Sequence, residues 1–468
     1  MERLTVAEIA RATQGMVVEG APEASVIGVS IDSRTIKPGE IYIAIRGKRF
    51  DGHQFVLDAV KNGAVAVMIE KGQGSDGGQG FPTSTCSVIE VDDTKRALLG
   101  LARWYRSLLK VKVVAVTGSN GKTTTKEMLA SILSQRFRVV KARQSFNNEI
   151  GVPLTVFEMD RTTDLGIFEI EMNELGGTKR LAEVCRPEVG IITNIGDTHL
   201  EFMKDRQGVA KEKRELLEAL PENGVAVVNF DDPLVMAMVH SLGFKNYITF
   251  GLGEGAAVFA TDTKEKGILG SEFVFMGRHP VRLRVLGKHN IYNFLAAAAA
   301  ARSLGLKDEE IVAGVDKLCL PPQRLTVKRL AGVLLIDDCF NANPQSMQSA
   351  LEVLKATAPK ESRVAILGDM LELGEESRRL HYELGVVAAE IVDRLVVVGK
   401  EAEFVASGAL SQGMDQKRLK RYPRSDAVGD DLFDILRAGD TILVKGSRQM
   451  ALEIVTEKIV RYYGEKTD

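Results

Sequence analysis

The segment VAVTGSNGKTTTKEML, residues 114–129, constrains the fold most strongly, because it places a strand, a glycine turn and a helix in immediate succession. In such a segment the backbone N–H groups and the positive end of the helix dipole converge on one point, which favours a bound phosphate. Lys122 is placed to reach the β- and γ-phosphates of a nucleotide, and the Thr123 hydroxyl is placed to bind Mg²⁺. We therefore predict a loop that binds ATP or GTP, formed by Gly118, Ser119, Asn120, Gly121, Lys122, Thr123 and Thr124.

This loop departs from the common form G-x-x-x-x-G-K-[ST], because Val116 stands where the first glycine is expected, five residues before Gly121. The alternative is a glycine turn between a strand and a helix with an incidental lysine. The correct order of strand, turn, GKT and helix favours the phosphate loop. A phosphate loop alone does not distinguish a motor, a switch, a kinase or a ligase.

Composition limits the class of protein. A length of 468 residues exceeds one ordinary core, and we expect three domains. A net charge of −2 gives no bulk basic surface for nucleic acid. Four scattered cysteines predict neither a zinc ribbon nor a disulfide framework, and no run of 18 apolar residues occurs. We expect a cytoplasmic monomer with no membrane insertion and no nucleic-acid partner.

The order of apolar runs predicts an α/β protein of three domains. Residues 1–93 are predicted to form a small α/β domain that includes a glycine-rich surface loop at 70–85. Residues 94–318 begin with a helix at 94–109 and alternate strands with helices, with an added β segment at 246–286, typical of a P-loop ATPase-like parallel sheet. Residues 319–468 carry strand runs that are apolar through their middles rather than alternating, which predicts a separate doubly wound, Rossmann-like domain. The prolines of LPPQRL, 320–325, suit a linker.

Polar residues follow several predicted strands of the central domain, at the edge where open α/β sheets bind ligands. They include Glu169, His199 and Lys213. Each also has a plain structural explanation, as a solvated strand end, a hydrogen-bonded loop histidine and a charge on a helix face. Asn290 and Asn293 lie one helical turn apart, where their amides could read an adenine edge or cap a helix.

These segments resemble a known family, the ATP-dependent Mur ligases of peptidoglycan synthesis, with their relatives the folylpolyglutamate synthases. The family's short loop, T-G-x-x-G-K-T-[ST], is matched by TGSNGKTT at 117–124, which explains Val116. The chain is most similar to the members that add D-alanyl-D-alanine to UDP-N-acetylmuramoyl-tripeptide. That similarity is carried by DSRTIKPGEIYIAIRGKRFDGHQF (32–55), SFNNEIGVPLT (145–155), DDCFNANPQSM (337–347) and LGDMLELGEES (367–377).

The resemblance implies roles for individual residues. It implies a catalytic set of Lys122, Lys213, His199 and Arg324, and a site for Mg²⁺, with two ions, formed by Thr123, Glu169, His199 and a carbamylated Lys213. It assigns the adenine to His289, Asn290 and Asn293, and the phosphates and ribose to Arg324 and Asp338. It assigns the UDP end of the substrate to the stretch containing Asp32, Ser33, Arg34, Gly47, Asp51 and His53. It places Asn148 near the substrate, and Asn343, Asp369, Lys445 and Arg448 on the dipeptide side.

One residue departs from the family pattern. Glu171 stands where relatives usually have a glycine, two residues after the metal-binding glutamate. Strand alternation puts Glu169 and Glu171 on the same side, so either carboxylate could face the metal.

The implied reaction needs no nucleophilic side chain, because a substrate carboxylate attacks ATP to give an acyl phosphate that the dipeptide amine then attacks. Closure of the third domain about a hinge at 318–322 would exclude water. The alternatives are a diaminopimelate- or lysine-adding ligase of the same family and a folylpolyglutamate synthase. A more distant alternative is a nucleotide-dependent switch or scaffold.

Overall fold

The computed structural model describes residues 1–47, 50–73 and 86–464, so most of the predicted loop at 70–85 lies outside the described residues. The chain forms two compact units, of which the first comprises residues 1–117, 133–190 and 215–225. The second comprises residues 118–132, 191–214 and 226–468. Within the described part of the chain, no helix is both long and apolar enough to cross a membrane.

The strands are short and spread along the whole chain. They are β1 (Leu4–Thr5), β2 (Met16–Glu19), β3 (Ser25–Val26), β4 (Gly28–Ser30), β5 (Glu40–Ile43), β6 (Ala66–Glu70), β7 (Ser87–Val91), β8 (Lys112–Thr117), β9 (Val139–Lys141), β10 (Leu165–Glu169), β11 (Val189–Ile192), β12 (Val225–Asn229), β13 (Tyr247–Gly251), β14 (Val258–Glu265), β15 (Ser271–Phe275), β16 (His279–Leu283), β17 (Thr326–Leu330), β18 (Val333–Asp338), β19 (Arg363–Gly368), β20 (Arg394–Val398), β21 (Leu419–Tyr422) and β22 (Thr441–Lys445).

The helices alternate with these strands. They are α1 (Val6–Thr13), α2 (Val56–Lys61), α3 (Thr94–Ser107), α4 (Lys122–Leu133), α5 (Gly151–Glu158), α6 (Gly177–Cys185), α7 (Leu200–Met203), α8 (Arg206–Glu218), α9 (Pro233–Leu242), α10 (His289–Ser303), α11 (Asp308–Val315), α12 (Pro344–Thr357), α13 (Ser377–Ile391), α14 (Ala402–Ser411) and α15 (Glu453–Tyr463). Short 3₁₀ turns occupy Gly52–Phe55, Gly267–Leu269, Lys360–Ser362, Gly374–Glu376, Gln416–Arg418, Ser425–Ala427, Asp430–Asp434 and Arg448–Met450.

The first unit contains a five-stranded sheet in the order β2-β7-β6-β5-β4, in which only β2 is antiparallel to its neighbour. It also holds β8, β10 and β9, paired in parallel. The predicted helix at 94–109 is confirmed as α3, which Asp93 caps and whose Leu98, Leu101 and Tyr105 are fully buried. These side chains join the larger apolar core of the unit.

The second unit contains both the added β segment and the C-terminal sheet. Strands β12, β13 and β14 are parallel, whereas β14, β15 and β16 form an antiparallel meander. The added β segment predicted at 246–286 is thus present, and its antiparallel pairing was not predicted. The alanine run predicted to allow close packing is confirmed in α10, where all six alanines at 296–301 are buried.

The C-terminal sheet has the order β17-β18-β22-β19-β20-β21, and only the edge strand β17 is antiparallel. Consecutive residues of β19, β20 and β22 are buried, which shows that both faces of the sheet are covered. The doubly wound prediction is therefore confirmed. The segment 316–325, between α11 and β17, forms neither helix nor strand, as the prolines predicted.

Candidate active site

The turn between β8 and α4 requires glycine at two positions. Gly118 has φ +138°, and a Cβ there would lie 2.0 Å from Thr193 Oγ1. Gly121 has φ +84°, and a Cβ there would lie 2.1 Å from Asn293 Oδ1. Any side chain at either position would be both strained and obstructed. Val116 belongs to β8 and is buried, so the loop begins only after it.

The residues after β11 fix the path of this loop. Asn194 accepts the Ser119 N–H through its carbonyl at 2.9 Å and the Asn120 N–H through its side chain at 3.0 Å. The Asn120 carbonyl accepts hydrogen bonds from Thr193 Oγ1 at 2.6 Å and Asn194 Nδ2 at 3.1 Å. The N–H groups of Ser119 and Asn120 are thus used within the protein, and contacts of these two residues with ATP stay a prediction. Asn194 was not among the predicted site residues, although it lies in the polar stretch after β11.

Lys122 and Thr123 begin α4 directly after the glycine turn. The buried Lys122 ammonium donates to the Gly118 carbonyl at 2.8 Å, so it lies over the turn. Thr123 and Thr124 are buried too, and the Thr123 hydroxyl accepts a hydrogen bond from Arg324 Nη2 at 2.8 Å. The guanidinium of Arg324 also stacks over Phe340 at 4.3 Å. The structure therefore brings a cation from the 316–325 segment onto the phosphate loop.

Glu169 ends β10 and is 1% exposed. Asn147 Nδ2 donates to Glu169 Oε1 at 2.9 Å and to Glu171 Oε2 at 3.1 Å, so both carboxylates meet one amide although the strand ends before Glu171. The neighbouring Asn148 accepts from the N–H groups of Ile150 and Gly151 at the start of α5. Asn147 was missed, and its place in the quoted stretch SFNNEIG was the only available signal.

His199 faces a carboxylate from a distant part of the chain. Its Nδ1 lies 2.5 Å from Glu372 Oε2, and the Glu201 N–H donates to the Glu372 carbonyl at 3.1 Å. Both partners have left-handed backbones, with φ of 55° at His199 and 63° at Glu372. A metal-binding histidine commonly gives its second nitrogen to a carboxylate, which fixes the tautomer, so this pairing fits the predicted role of His199.

Lys213 lies on α8 with a side chain that is completely buried. Glu212 Oε2 is 2.7 Å from its Nζ but out of hydrogen-bonding geometry, and among the described residues Nζ finds no acceptor. Both side chains of this ion pair are buried, so the Glu212 carboxylate compensates the charge of the ammonium. The carbamate at Lys213 stays a prediction.

Among residues 1–47, 50–73 and 86–464, no three His, Cys, Asp or Glu side chains are grouped so that they could hold a metal ion. Thr123 and Glu169 each offer an oxygen donor of the kind that Mg²⁺ takes together with waters and nucleotide phosphates. Binding of this ion stays a prediction.

The predicted adenine residues form a chain of hydrogen bonds at the start of α10. Asn293 Nδ2 donates to Asn290 Oδ1 at 2.7 Å, Asn290 Nδ2 donates to the Leu286 carbonyl at 2.6 Å, and Thr125 Oγ1 lies 3.3 Å from Asn293 Oδ1. Desolvation lowers the pKa of His289 from 6.5 to about 4, so its imidazole is neutral. The amides buttress α4 and the phosphate loop, and their contact with adenine stays a prediction.

Asp338 is shared between the linker and the C-terminal sheet. Its carboxylate accepts the Leu325 N–H at 3.1 Å and the Lys445 ammonium at 2.7 Å. Lys445 also donates to the Asn341 carbonyl at 2.9 Å, and Arg448 donates to Gln323 at 3.1 Å. These residues therefore hold the end of the linker that carries Arg324.

Two residues predicted on the dipeptide side cap helices. Asp369 accepts the N–H groups of Lys400 and Ala402 at the start of α14, and burial raises its pKa. Asn343 caps α12 by accepting the Ser346 N–H at 2.9 Å. Both side chains have a structural function, and a contact with substrate stays a prediction.

The residues of the predicted UDP-binding stretch are hydrogen-bonded to other residues of the first unit. A side-chain hydrogen bond from Arg34 lowers the pKa of Asp32 to about 2, and the Arg34 side chain is 85% exposed. His53 is engaged on both sides, since Nδ1 lies 2.6 Å from Asp51 Oδ1 and Nε2 accepts the Glu70 N–H at 3.0 Å. Ser33 accepts Asn62 Nδ2 through its carbonyl, and the Gly47 N–H donates to the Phe50 carbonyl.

Comparison with known proteins assigns the family. Three family models match consecutive parts of the chain: the catalytic domain of the Mur ligase family at 25–106, the Mur ligase middle domain at 116–301 and the Mur ligase glutamate ligase domain at 323–448. The UDP-N-acetylmuramoyl-tripeptide–D-alanyl-D-alanine ligase of Bacillus subtilis is 34% identical over 464 residues, covering 98% of this chain and 99% of the relative. The chain belongs to the Mur ligase family.

Solved Mur ligases share the fold. MurF from Acinetobacter baumannii superposes with a TM-score of 0.87 at 31% identity, covering 98% of this chain and 99% of that one. MurF from Thermotoga maritima, solved in complex with ADP, gives a TM-score of 0.78 at 29% identity and covers 93% and 97% of the two chains. The three-domain architecture of a Mur ligase is thus confirmed, while the bounds 1–93, 94–318 and 319–468 stay predictions.

Proposed function

We propose that this Mur ligase joins D-alanyl-D-alanine to UDP-N-acetylmuramoyl-tripeptide at the expense of ATP, in the synthesis of a peptidoglycan precursor. The observation that carries the proposal is full-length similarity, at 34% identity over 98% of the chain, to an enzyme named for that reaction. The geometry adds a phosphate loop contacted by an arginine from the C-terminal part of the chain.

The chemistry proceeds in two steps. A carboxylate oxygen of the tripeptide attacks the γ-phosphorus of ATP, and the bond to the β-phosphate oxygen breaks, releasing ADP and leaving an acyl phosphate. The amine of the dipeptide then attacks the acyl carbon, inorganic phosphate leaves, and the amine loses a proton as the amide forms. The protein must therefore neutralise phosphate oxygens, align two anionic reactants and exclude water.

Residues of the phosphate loop, together with Arg324, would neutralise the phosphate oxygens. Lys122 would bind the β- and γ-phosphate oxygens, Thr123 would take part in holding Mg²⁺, and Arg324 would move its guanidinium from the Thr123 hydroxyl to the transferring phosphoryl group. Bound Mg²⁺ would neutralise phosphate charge during the transfer. Glu169, His199 and a carbamylated Lys213 are proposed as the other ligands of two such ions, Glu171 being the alternative to Glu169.

The remaining assignments rest on the family resemblance. They concern the adenine, ribose, UDP and dipeptide contacts, the monomeric state and the cytoplasmic location, and all of them stay predictions. The third residue of the tripeptide, diaminopimelate or lysine, is not assigned.

The decisive assay measures ADP release with each substrate omitted in turn and identifies the amide product by mass spectrometry. We expect release only when ATP, the UDP-muramoyl tripeptide and D-alanyl-D-alanine are all present. ADP release from ATP alone, with the UDP-muramoyl tripeptide and the dipeptide both omitted, would favour a nucleotide switch. Addition of free diaminopimelate or lysine to a UDP-muramoyl dipeptide would favour another Mur ligase. Addition of glutamate to a folate would favour a folylpolyglutamate synthase. Lys122→Ala is the control that removes phosphoryl transfer.

A further inference from the structure

The side chain of Asn120 is directed at α12 rather than held by its own loop. Its Oδ1 accepts a hydrogen bond from Asn343 Nδ2 at 2.7 Å, and its Nδ2 donates to Gln345 Oε1 at 3.1 Å. These partners lie 223 and 225 residues further along the chain. One residue of the phosphate loop thus bonds twice to the first turn of a C-terminal helix.

The direction of the Asn343 amide is fixed by its second function. Its Oδ1 caps α12 by accepting the Ser346 N–H, and Pro344 sets the first helical residue. Because the oxygen faces the helix, the Nδ2 group must face outward, towards Asn120. The helix cap therefore orients the donor.

Gln345 approaches the loop through a gap that a glycine provides. A Cβ on Gly196 would lie 1.8 Å from Gln345 Oε1, so a side chain there would displace the amide. Gly196 is itself tied to the loop, because its N–H donates to Ser119 Oγ at 2.8 Å. The segment after β11 therefore both supports the loop and admits the side chain from α12.

We infer that Asn120, Asn343 and Gln345 form an amide clasp that docks the first turn of α12 on the phosphate loop and holds it there during phosphoryl transfer. The inference deepens the proposed function and rests on it. The three residues act as positioning residues, because the clasp keeps α12 and the nearby linker that carries Arg324 in place without itself contacting the reacting atoms.

The clasp is separable from nucleotide binding. The backbone of Asn120 is held by Thr193 and Asn194, neither of which belongs to the clasp. Removal of the Asn120 side chain should therefore leave the shape of the loop intact and weaken only its attachment to α12. This separation predicts a lower kcat with an almost unchanged affinity for ADP.

The test compares Asn120→Ala, Gln345→Ala and their double variant with the wild type. A net hydrogen bond is worth a factor of about 5, so we expect kcat to fall about 5-fold in Gln345→Ala and about 10- to 30-fold in Asn120→Ala. The double variant should match Asn120→Ala, because Gln345 has already lost its partner. The Kd for ADP, measured by calorimetry, should stay within about twofold of the wild-type value in all three.

Gln348→Ala is the matched control, since Gln348 is an exposed amide one turn further along α12. The clasp would be overturned if kcat were unchanged in Asn120→Ala or if the losses in the double variant were multiplicative. An equal loss of kcat in Gln348→Ala would overturn it too. A rise in the Kd for ADP that parallels the loss of kcat would also overturn it, by assigning Asn120 to nucleotide binding.

Hydrogen exchange separates this inference from the proposed function. With ADP bound, backbone amides of residues 345–350 should exchange faster in Asn120→Ala than in the wild type, and equal rates would refute the clasp. If the wild type itself forms no amide product, the proposed function fails, and the exchange experiment still decides whether the clasp exists.

Discussion

Arg324→Ala should lower kcat/KM by about 100- to 1,000-fold. The substitution removes the guanidinium that stacks over Phe340, donates to the Thr123 hydroxyl and is proposed to move to the transferring phosphoryl group. Removing one preorganised donor from the place where charge develops in a transition state costs about 2.7–4 kcal/mol. That energy corresponds to the stated loss at 1.36 kcal/mol per tenfold change.

The assay is ADP release at varied ATP with both co-substrates saturating. Arg324→Lys should recover only part of the loss, because an ammonium keeps the charge but not the planar fork. Arg378→Ala is the matched control, since the Arg378 guanidinium lies 5.1 Å from the Phe404 ring centroid and the side chain belongs to α13. If Arg324→Ala keeps kcat/KM within about twofold of the wild type, or if the control loses as much, this account of Arg324 is wrong.

Three further outcomes are expected. Lys213→Arg should abolish turnover because arginine cannot be carbamylated, acetate should partly restore Lys213→Ala, and the exposed Lys211→Arg should keep full activity; an active Lys213→Arg would return this lysine to a structural role. Glu372→Gln should weaken Mn²⁺ binding in the presence of ADP about 10- to 100-fold, measured by electron paramagnetic resonance, since the carboxylate orients a metal-binding imidazole; unchanged affinity would contradict that role. Desolvation lowers the pKa of His289 from its ordinary 6.5 to about 4, so the unfolded chain binds the proton more tightly than the folded chain does. The free energy of unfolding should therefore fall by about 2 kcal/mol from pH 7 to pH 5. His289→Asn should flatten this dependence in thermal unfolding, whereas the exposed His240→Asn should not.

Much of the fold could be predicted because its signals are local. Strands β19, β20 and β22 are apolar through their middles, with polar residues only at their ends, a pattern that a parallel sheet covered on both faces requires. The helix α3 was predicted within two residues at its C-terminal end, because its apolar spacing is regular. The strand predicted at 165–172 instead ends at Glu169. Its apolar–polar alternation continues past the last ladder hydrogen bond, so the sequence pattern alone could not place that end.

The functional residues were predicted less completely, because their partners are distant in sequence. Asn147 rather than Asn148 meets Glu169, and nothing in two adjacent asparagines shows which one turns inward. Glu372 lies in LGDMLELGEES (367–377), one of the segments that carry the family resemblance, yet its pairing with His199 spans 173 residues. Contacts of this kind depend on how elements far apart in the chain are assembled, and the sequence pattern carries no signal for such a pairing.

Three contacts that join the phosphate loop and the segment after β11 to the C-terminal part of the chain are polar. Arg324 bonds Thr123, Asn343 bonds Asn120 and Glu372 bonds His199, all through polar groups. Each such bond contributes only about 0.5–3 kcal/mol, because water competes for the same groups when the contact opens. An interface of apolar side chains would be stabilised by about 25 cal/mol for every Å² buried. If such an interface were large, its two sides would not separate within one turnover. A ligase must admit three reactants and release three products, so polar contacts that form over the nucleotide and break readily suit the enzyme better than a stronger apolar interface would.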